Sequence, residues 1–219
     1  WAWGYSRCVD ALEKCNFRDK IDFNYIAFTG HSRGGKTAML AGVLDERAFI
    51  VNPNETNAGA CSCYRSRMRA ITEDGEEKES ETLEMLVRRF PEWMGPDLKN
   101  YVGKEADLPF DEHFLKAMVA PRVLLVGEAA SDIWTNPIGT WQTTLAAKEV
   151  FRFLGVEDRL LWYFRKGYHG HKIEDLEMLA DTISYFRNET PLADGYFITP
   201  FNPVEKMFDW HCPVTEKEK

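Results

Sequence analysis

Residues 30–37, Gly-His-Ser-Arg-Gly-Gly-Lys-Thr, match two motifs that imply different chemistry. In the Gly-x-Ser-x-Gly motif, a sharp turn between a strand and a helix exposes the hydroxyl of Ser32 as a nucleophile. In the Gly-x4-Gly-Lys-Thr motif, a P-loop, the backbone binds phosphates and Lys36 contacts the outer ones. Both motifs require a strand before and a helix after them, and residues 25–29 and 36–44 have these patterns. The local sequence is compatible with either chemistry.

The P-loop alternative needs an aspartate at the end of a later hydrophobic strand, where it would hold a magnesium ion. The predicted strand at residues 122–126 is followed by Gly127 and Glu128, and the strand at residues 160–164 is followed by Arg165. Neither strand supplies that aspartate. The sequence therefore favours a serine nucleophile over a nucleotide-binding site.

The serine alternative needs an acidic residue and then a histidine, each on a loop after a strand. The imidazole takes the serine proton, and the carboxylate fixes the tautomer of the imidazole. Asp132 and His169 follow the last two predicted strands in this order. Loops after parallel strands meet at one edge of the sheet. Glu55, after an earlier strand, is a second candidate acid, and His171 is a second candidate base.

Segments with the apolar pattern of strands alternate along the chain with segments that have the apolar pattern of helices. This alternation predicts an α/β fold with a mainly parallel sheet flanked by helices. The predicted helices cover residues 1–16, 36–44, 111–118, 140–154 and 173–186, and the predicted strands cover residues 25–29, 48–51, 122–126 and 160–164. The glutamate-rich residues 73–84 are predicted to be a solvated loop and helix start. Residues 190–219 are predicted to be an irregular tail that packs on the body.

The composition fits one domain over residues 1–219, because 44% of the residues are hydrophobic and can form one sizeable core. The net charge of −8 argues against nucleic acid or an anionic membrane surface as a partner. No run approaches the roughly 20 apolar residues of a membrane span. The five cysteines lack the spacing of a zinc site, so we predict neither a metal nor another cofactor.

The chain resembles the glucuronoyl esterases, carbohydrate esterase family 15, and especially their bacterial-type members. The Ser-Arg-x-Gly-Lys sequence at residues 32–36 is more specific than Gly-x-Ser-x-Gly alone. The matching segments follow the family order and are residues 3–7, 10–12, 30–36, 44–47, 90–93, 108–113, 120–122, 132–134 with Pro137, and 165–169.

The resemblance implies an α/β-hydrolase fold and a serine esterase that cleaves the 4-O-methyl-glucuronoyl ester between glucuronoxylan and lignin alcohols. It also implies a secreted or periplasmic location. Family members usually carry further strands before the segment that corresponds to Trp1, so we expect this chain to lack the N-terminal part of the domain. Asn57 and Asn136 stand where the family pattern leads us to expect a glycine and an aspartate.

The resemblance assigns a role to each candidate residue. Ser32 would be the nucleophile, His169 the base, Glu55 or Asp132 the acid, Arg33 the oxyanion-stabilising residue, and Lys36 and Trp134 the sugar-binding residues. The residue types suit these roles: the backbone N–H of Arg33 follows the nucleophile, where hydrolases place an oxyanion donor. Two alternatives stay open, namely an acetyl or other carbohydrate esterase on the same fold and a non-catalytic carbohydrate-binding protein.

Overall fold

Parallel strands form the centre of the structure, a computed structural model that describes residues 1–71 and 74–213. The strands are β1 (Ala27–His31), β2 (Ile50–Asn54), β3 (Arg69–Ile71), β4 (Glu77–Glu79), β5 (Val123–Ala129) and β6 (Leu160–Arg165). The α-helices are α1 (Ala2–Lys14), α2 (Arg33–Leu44), α3 (Leu83–Arg89), α4 (His113–Ala117), α5 (Pro137–Phe153) and α6 (Ile173–Asn188). The main sheet has the order β1-β2-β5-β6, and β3 and β4 form a separate antiparallel pair.

The main sheet buries both of its faces, which explains the continuous apolar run of β5. Leu124 and Val126 pack with residues of α1, α2 and α5, whereas Val123 and Leu125 face the opposite way and pack with α6. Successive side chains of a strand point to opposite faces, so a strand that is covered by helices on both sides must be apolar at every position.

The predicted α/β fold is confirmed, and each predicted strand is present with shifted ends. Strand β2 continues through Asn54 and strand β5 through Ala129, beyond their apolar cores. Polar residues end the apolar pattern, but the hydrogen-bond ladder continues past them. Helix α5 likewise begins at Pro137, because a proline suits the first position of a helix and Asn136 caps it.

The prediction of a solvated segment at residues 73–84 is wrong for its C-terminal part. Ser80, Glu81 and Thr82 are buried, with Glu81 only 8% exposed. This segment contacts the connection between β5 and α5, where the backbone N–H of Glu81 donates to the carbonyl oxygen of Trp134 at 3.0 Å. Glu73, also part of the prediction, lies outside the described residues.

The C-terminal tail is irregular up to residue 213, and its predicted remainder, residues 214–219, lies outside the described residues. The indole Nε1 of Trp141 donates to the side-chain oxygen of Asn202 at 3.0 Å. The backbone N–H of Phe197 donates to the carbonyl oxygen of Trp162 at 2.9 Å. These bonds attach the tail to α5 and β6. Among residues 1–71 and 74–213, no helix is long and apolar enough to cross a membrane.

The strand register brings four loops to one edge of the sheet. His31 pairs with Asn54, Asn54 pairs with Gly127, and Gly127 pairs with Tyr163. The residues that follow each strand therefore lie side by side. This register places the loops of the predicted nucleophile, both candidate acids and the candidate base next to one another.

Candidate active site

Ser32 occupies a strained turn between β1 and α2. Its φ of 55° and ψ of −119° are rare for a residue with a side chain. The backbone N–H of Ser32 donates to the carbonyl oxygen of Asn54 at 2.9 Å, and its carbonyl accepts from the backbone N–H of Lys36 at 3.1 Å. This geometry is that of a nucleophile elbow, and such strain is typical of functional positions.

Close backbone packing explains two of the three glycines in this turn. A Cβ on Gly30 would lie 2.3 Å from the carbonyl oxygen of Gly34, and a Cβ on Gly35 would lie 2.1 Å from the methyl carbon of Thr56. Gly34, the second glycine of the Gly-x-Ser-x-Gly motif, has no such neighbour within 4 Å. Gly30 and Gly35 therefore let the start of α2 lie directly against the sheet edge.

His169 contacts Asp132 through its Nδ1 atom, which lies 2.6 Å from Oδ2 of the carboxylate. Asp132 is 3% exposed, whereas the His169 side chain is 34% exposed. The hydrogen bond to Asp132 raises the pKa of His169 above its usual value, although burial opposes that shift. With Nδ1 held by Asp132, Nε2 is the atom that can accept a proton from a serine.

The serine hydroxyl and the His169 ring do not yet form a hydrogen bond. Within the described residues, none joins Ser32 Oγ to His169, although both follow strands of the same sheet edge. Hydrogen bonds between a nucleophile and its base are often long in free enzymes and tighten when substrate binds.

Glu55, the second candidate acid, has its shorter contacts with groups other than the candidate base. It is 1% exposed, and its side chain forms an ion pair with Arg165. Its Oε2 atom accepts the backbone N–H of Gly170 at 2.8 Å and lies 3.4 Å from Nδ1 of His169. Both candidate acids therefore reach the same imidazole nitrogen, but Asp132 lies 0.8 Å nearer, since 3.4 − 2.6 = 0.8.

Arg165 and His31 complete this cluster and were not predicted to belong to it. The guanidinium of Arg165 joins Glu55 to Asp175, whose Oδ1 atom lies 3.1 Å from Nε. Nε2 of His31 lies 3.3 Å from Oε2 of Glu55. The ring of His31 packs 4.5 Å from the ring of His169 and 5.5 Å from that of His171, centroid to centroid. Two sequence signals could have placed Arg165 here: its position at a strand end and its place in the family-matching segment 165–169.

Glu81 links the segments of the predicted sugar-binding residues Lys36 and Trp134, since its carboxylate contacts Lys36 and its backbone N–H donates to the carbonyl oxygen of Trp134. The Trp134 ring lies near Arg89, whose guanidinium carbon is 5.9 Å from the ring centroid. Nζ of Lys36 lies 2.8 Å from Oε2 of Glu81 and donates to the carbonyl oxygen of Thr56 at 2.8 Å. It also contacts Asn57 and Ala58. Burial lowers the pKa of Lys36. The sequence analysis missed Glu81, since a glutamate-rich segment gives no sign of which carboxylate is buried.

Arg33, the predicted oxyanion-stabilising residue, extends over two stacked rings. Its guanidinium carbon lies 5.9 Å from the ring centroid of Phe90 and 6.0 Å from that of Trp93. These two rings stack with centroids 3.9 Å apart. A cavity of about 480 Å³ lies beside them, with Arg33 and Lys36 in its wall. The oxyanion and sugar-binding roles stay predictions.

A comparison with protein families decides the classification of the chain. The family model for glucuronyl esterases of fungi matches residues 1–155. The chain belongs to the glucuronoyl esterase family. The predicted resemblance is thus confirmed, and so is the α/β-hydrolase fold.

Several glucuronoyl esterases align with most of the chain. A 4-O-methyl-glucuronoyl methylesterase from Phanerochaete chrysosporium is 37% identical over 171 residues, which are 78% of this chain and 35% of that protein. The structure of a glucuronoyl esterase of carbohydrate esterase family 15 from Caldicellulosiruptor kristjansonii superposes with a TM-score of 0.87 at 32% identity, covering 97% of this chain and 56% of that one. A glucuronoyl esterase mutant from Sporotrichum thermophile, in complex with methyl 4-O-methyl-β-D-glucopyranuronate, has a TM-score of 0.71 at 27% identity, covering 89% and 52%. This chain therefore spans about a third to a little over half of these relatives' length.

Two asparagines of this glucuronoyl esterase family member depart from the expected pattern. Asn57, where we expected glycine, has a φ of 48°, and Asn136, where we expected aspartate, has a φ of 54°. Both lie in the left-handed region, which asparagine tolerates better than most residues. Oδ1 of Asn136 also accepts the backbone N–H of Gly139 at 3.0 Å. Both asparagines therefore suit the positive φ of their positions, and Asn136 also caps α5.

Proposed function

We propose that this chain is a serine esterase in which Ser32 is the nucleophile, His169 the general base and Asp132 the orienting acid. The observation that carries this proposal is the 2.6 Å contact between His169 and Asp132 at the same sheet edge as the strained Ser32 turn. An imidazole that a buried carboxylate orients is the arrangement that activates a serine hydroxyl.

The proposed mechanism has two steps. In the first, Nε2 of His169 takes the proton of the Ser32 hydroxyl, the oxygen attacks the ester carbonyl, and the alcohol leaves with that proton. The backbone N–H of Arg33 and its guanidinium stabilise the oxyanion. In the second step, water attacks the acyl-enzyme and His169 takes its proton. His169 then passes that proton to the Ser32 oxygen as the acyl bond breaks, which releases the uronic acid. Asp132 keeps the ring in the required tautomer throughout.

We propose an ester of 4-O-methyl-glucuronic acid as the substrate, of the kind that joins glucuronoxylan to lignin alcohols in plant cell walls. The structural relative from Sporotrichum thermophile holds the methyl ester of this sugar. Arg33 and Lys36 line a cavity of about 480 Å³ beside α2, which begins directly after Ser32. We propose that the sugar binds in this cavity, with Trp134 as a further sugar contact. Because such a substrate lies outside the cell, a secreted or periplasmic location is part of this proposal.

A substrate panel tests the proposed function. We expect hydrolysis of the methyl ester of 4-O-methyl-glucuronate, slower hydrolysis of the methyl ester of galacturonate, and no release of acetate from acetylated xylan. A preference for acetate release would instead make the chain an acetyl esterase with the same serine. Binding of the glucuronate ester without any hydrolysis would favour a non-catalytic carbohydrate-binding protein.

A further inference from the structure

Three donor atoms converge at the sheet edge: Nε2 of His31, Oε2 of Glu55 and Nδ1 of His169. They all lie within 4.8 Å of one another. The Glu55 oxygen lies 3.3 Å from the His31 nitrogen and 3.4 Å from the His169 nitrogen. The serine esterase mechanism uses the His169 nitrogen, but it gives His31 no task.

These separations fit the coordination sphere of zinc. Zinc binds imidazole nitrogen and carboxylate oxygen at about 2.0–2.2 Å in tetrahedral geometry, so two of its ligand atoms lie roughly 3.3–3.5 Å apart. Both measured separations from Glu55 fall at this spacing. Imidazole also suits zinc better than it suits magnesium or calcium, which prefer oxygen ligands.

The surroundings of Glu55 hold its carboxylate in place for a metal. Arg165 contacts Oε1, and the backbone N–H of Gly170 donates to Oε2 at 2.8 Å. Outer hydrogen bonds of this kind fix the orientation of a ligating carboxylate. The side chains of His31 and His169 are 21% and 34% exposed, so an ion can enter from solvent.

We propose that His31, Glu55 and His169 form a Zn²⁺-binding site and that bound zinc inhibits the esterase. Zinc would use the lone pair of Nδ1 of His169, so the proton of that nitrogen would move to Nε2. The ring could then no longer accept the Ser32 proton, and its hydrogen bond to Asp132 would be lost. The inhibition rests on the proposed function, whereas zinc binding does not.

Calorimetric titration of the chelator-treated full chain with ZnCl₂ tests the binding site, with MgCl₂ as a control ion. We expect one zinc per chain for the wild type, and a dissociation constant at least about tenfold weaker for His31→Phe, in line with the loss of a ligand. His171→Phe is the matched control, because His171 packs against His31 without being a proposed ligand. Its affinity should equal that of the wild type.

Three results would overturn the site: no zinc binding by the wild type, an unchanged affinity in His31→Phe, or an equal loss in His171→Phe. Circular dichroism checks the fold of each variant, and His31→Gln replaces His31→Phe if the latter is unfolded. X-ray absorption of zinc-loaded Ser32→Ala should show two nitrogen ligands and a carboxylate oxygen at about 2.0–2.2 Å. A shell of oxygen ligands alone would contradict the assignment.

The ratio of esterase rates in zinc and in chelator tests the inhibition. For the wild type and for His171→Phe, we expect the rate in zinc to be at least about tenfold lower than the rate in chelator. For His31→Phe, we expect the two rates to be nearly equal. Equal ratios in all three proteins, alongside measured zinc binding, would contradict the inhibition. Absence of hydrolysis in chelator would instead count against the proposed function, while the titration would still report on the site.

Discussion

The two carboxylates near His169 differ in their other partners, and this difference assigns them separate tasks. Asp132 has the shorter contact, 2.6 Å, to the imidazole nitrogen. Glu55 is committed to Arg165 and to the backbone of Gly170. We therefore infer that Asp132 orients the base and that Glu55 fixes the loop that carries it.

Replacing Asp132 by Asn should lower kcat by about 10²–10⁴-fold, because an amide cannot stabilise the imidazolium or hold the same tautomer. The pH dependence gives a second readout. Only the neutral imidazole accepts the serine proton, so kcat/KM of the wild type should rise with pH, with a midpoint above 6.5, the usual pKa of histidine. Asp132→Asn removes the main cause of the raised pKa, so the midpoint should shift to lower pH. An unchanged midpoint in this variant would assign the role to another carboxylate.

Replacing Glu55 by Gln should affect stability more than chemistry. The variant leaves Arg165 buried with Asp175 as its remaining anionic partner, so the free energy of unfolding should fall by about 1–3 kcal/mol. Urea denaturation of Glu55→Gln beside Asp132→Asn measures this loss. If Glu55→Gln keeps full stability but loses kcat as Asp132→Asn does, the division of tasks is wrong.

Sequence order alone predicts Ser32, Asp132 and His169 as one set, because each residue directly follows a strand of a parallel sheet. It cannot choose between Asp132 and Glu55, since that choice depends on which carboxylate lies 2.6 Å and which lies 3.4 Å from Nδ1 of His169 in the folded chain. The contacts of His31 and Glu81 could not be predicted from the sequence for a related reason. Their contacts join segments distant in the sequence, and neither segment has a periodic pattern.

At the scale of elements, a buried carboxyl group connects β5 to the helix that follows. Glu128, in β5, accepts hydrogen bonds from the hydroxyls of Thr140 at 2.8 Å and Thr135 at 3.2 Å. Thr140 belongs to α5, and Thr135 closes the short 3₁₀ helix Ile133–Thr135 that contains Trp134. Glu128 therefore positions the loop that carries Asp132.

Burial raises the pKa of Glu128 to about 8, so this carboxyl group is protonated in the folded chain at neutral pH. The unfolded chain releases the proton near pH 4.5, the usual value for glutamate. At this group the folded state therefore holds one more proton between these limits, so the contribution of Glu128 to stability falls as the pH rises from about 4.5 to about 8.

Replacing Glu128 by Gln should remove this contribution, because the amide does not titrate. Denaturation of both proteins at pH 5 and pH 8 measures it, and other titrating groups cancel in the difference between the proteins. The wild type should lose more unfolding free energy over this interval than Glu128→Gln does. Equal losses in the two proteins would show that Glu128 ionises at the usual pH.

Element types were predictable where the apolar pattern was strong, as in the continuous apolar run of β5 and the helical spacing of α5. The short hairpin of β3 and β4 was not, because Arg69–Ile71 and Glu77–Glu79 are largely exposed and lack an apolar face. The ends of β2 and β5 were also missed. Hydrogen bonds to neighbouring strands extend both of them, and the sequence of one strand does not show which strand will lie beside it.

At the scale of the whole molecule, a separate apolar cluster supports the segment between β2 and α4. Its buried members are Ala58, Tyr64, Leu83, Leu86 and Leu108. This cluster holds the start of α3 against the sheet edge and so brings Glu81 to Lys36. The net charge is readable from composition, whereas this packing follows only from the folded chain.

The most direct test of the central claim compares the chain with its Ser32→Ala variant in hydrolysis of methyl 4-O-methyl-glucuronate, followed by the release of methanol. Circular dichroism should give the same spectrum for both proteins, since alanine removes only the hydroxyl. We predict release by the wild type and a loss of at least about 10⁴-fold in the variant, because the covalent step is lost. Release by Ser32→Ala at the wild-type rate would contradict the assignment of Ser32 as the nucleophile.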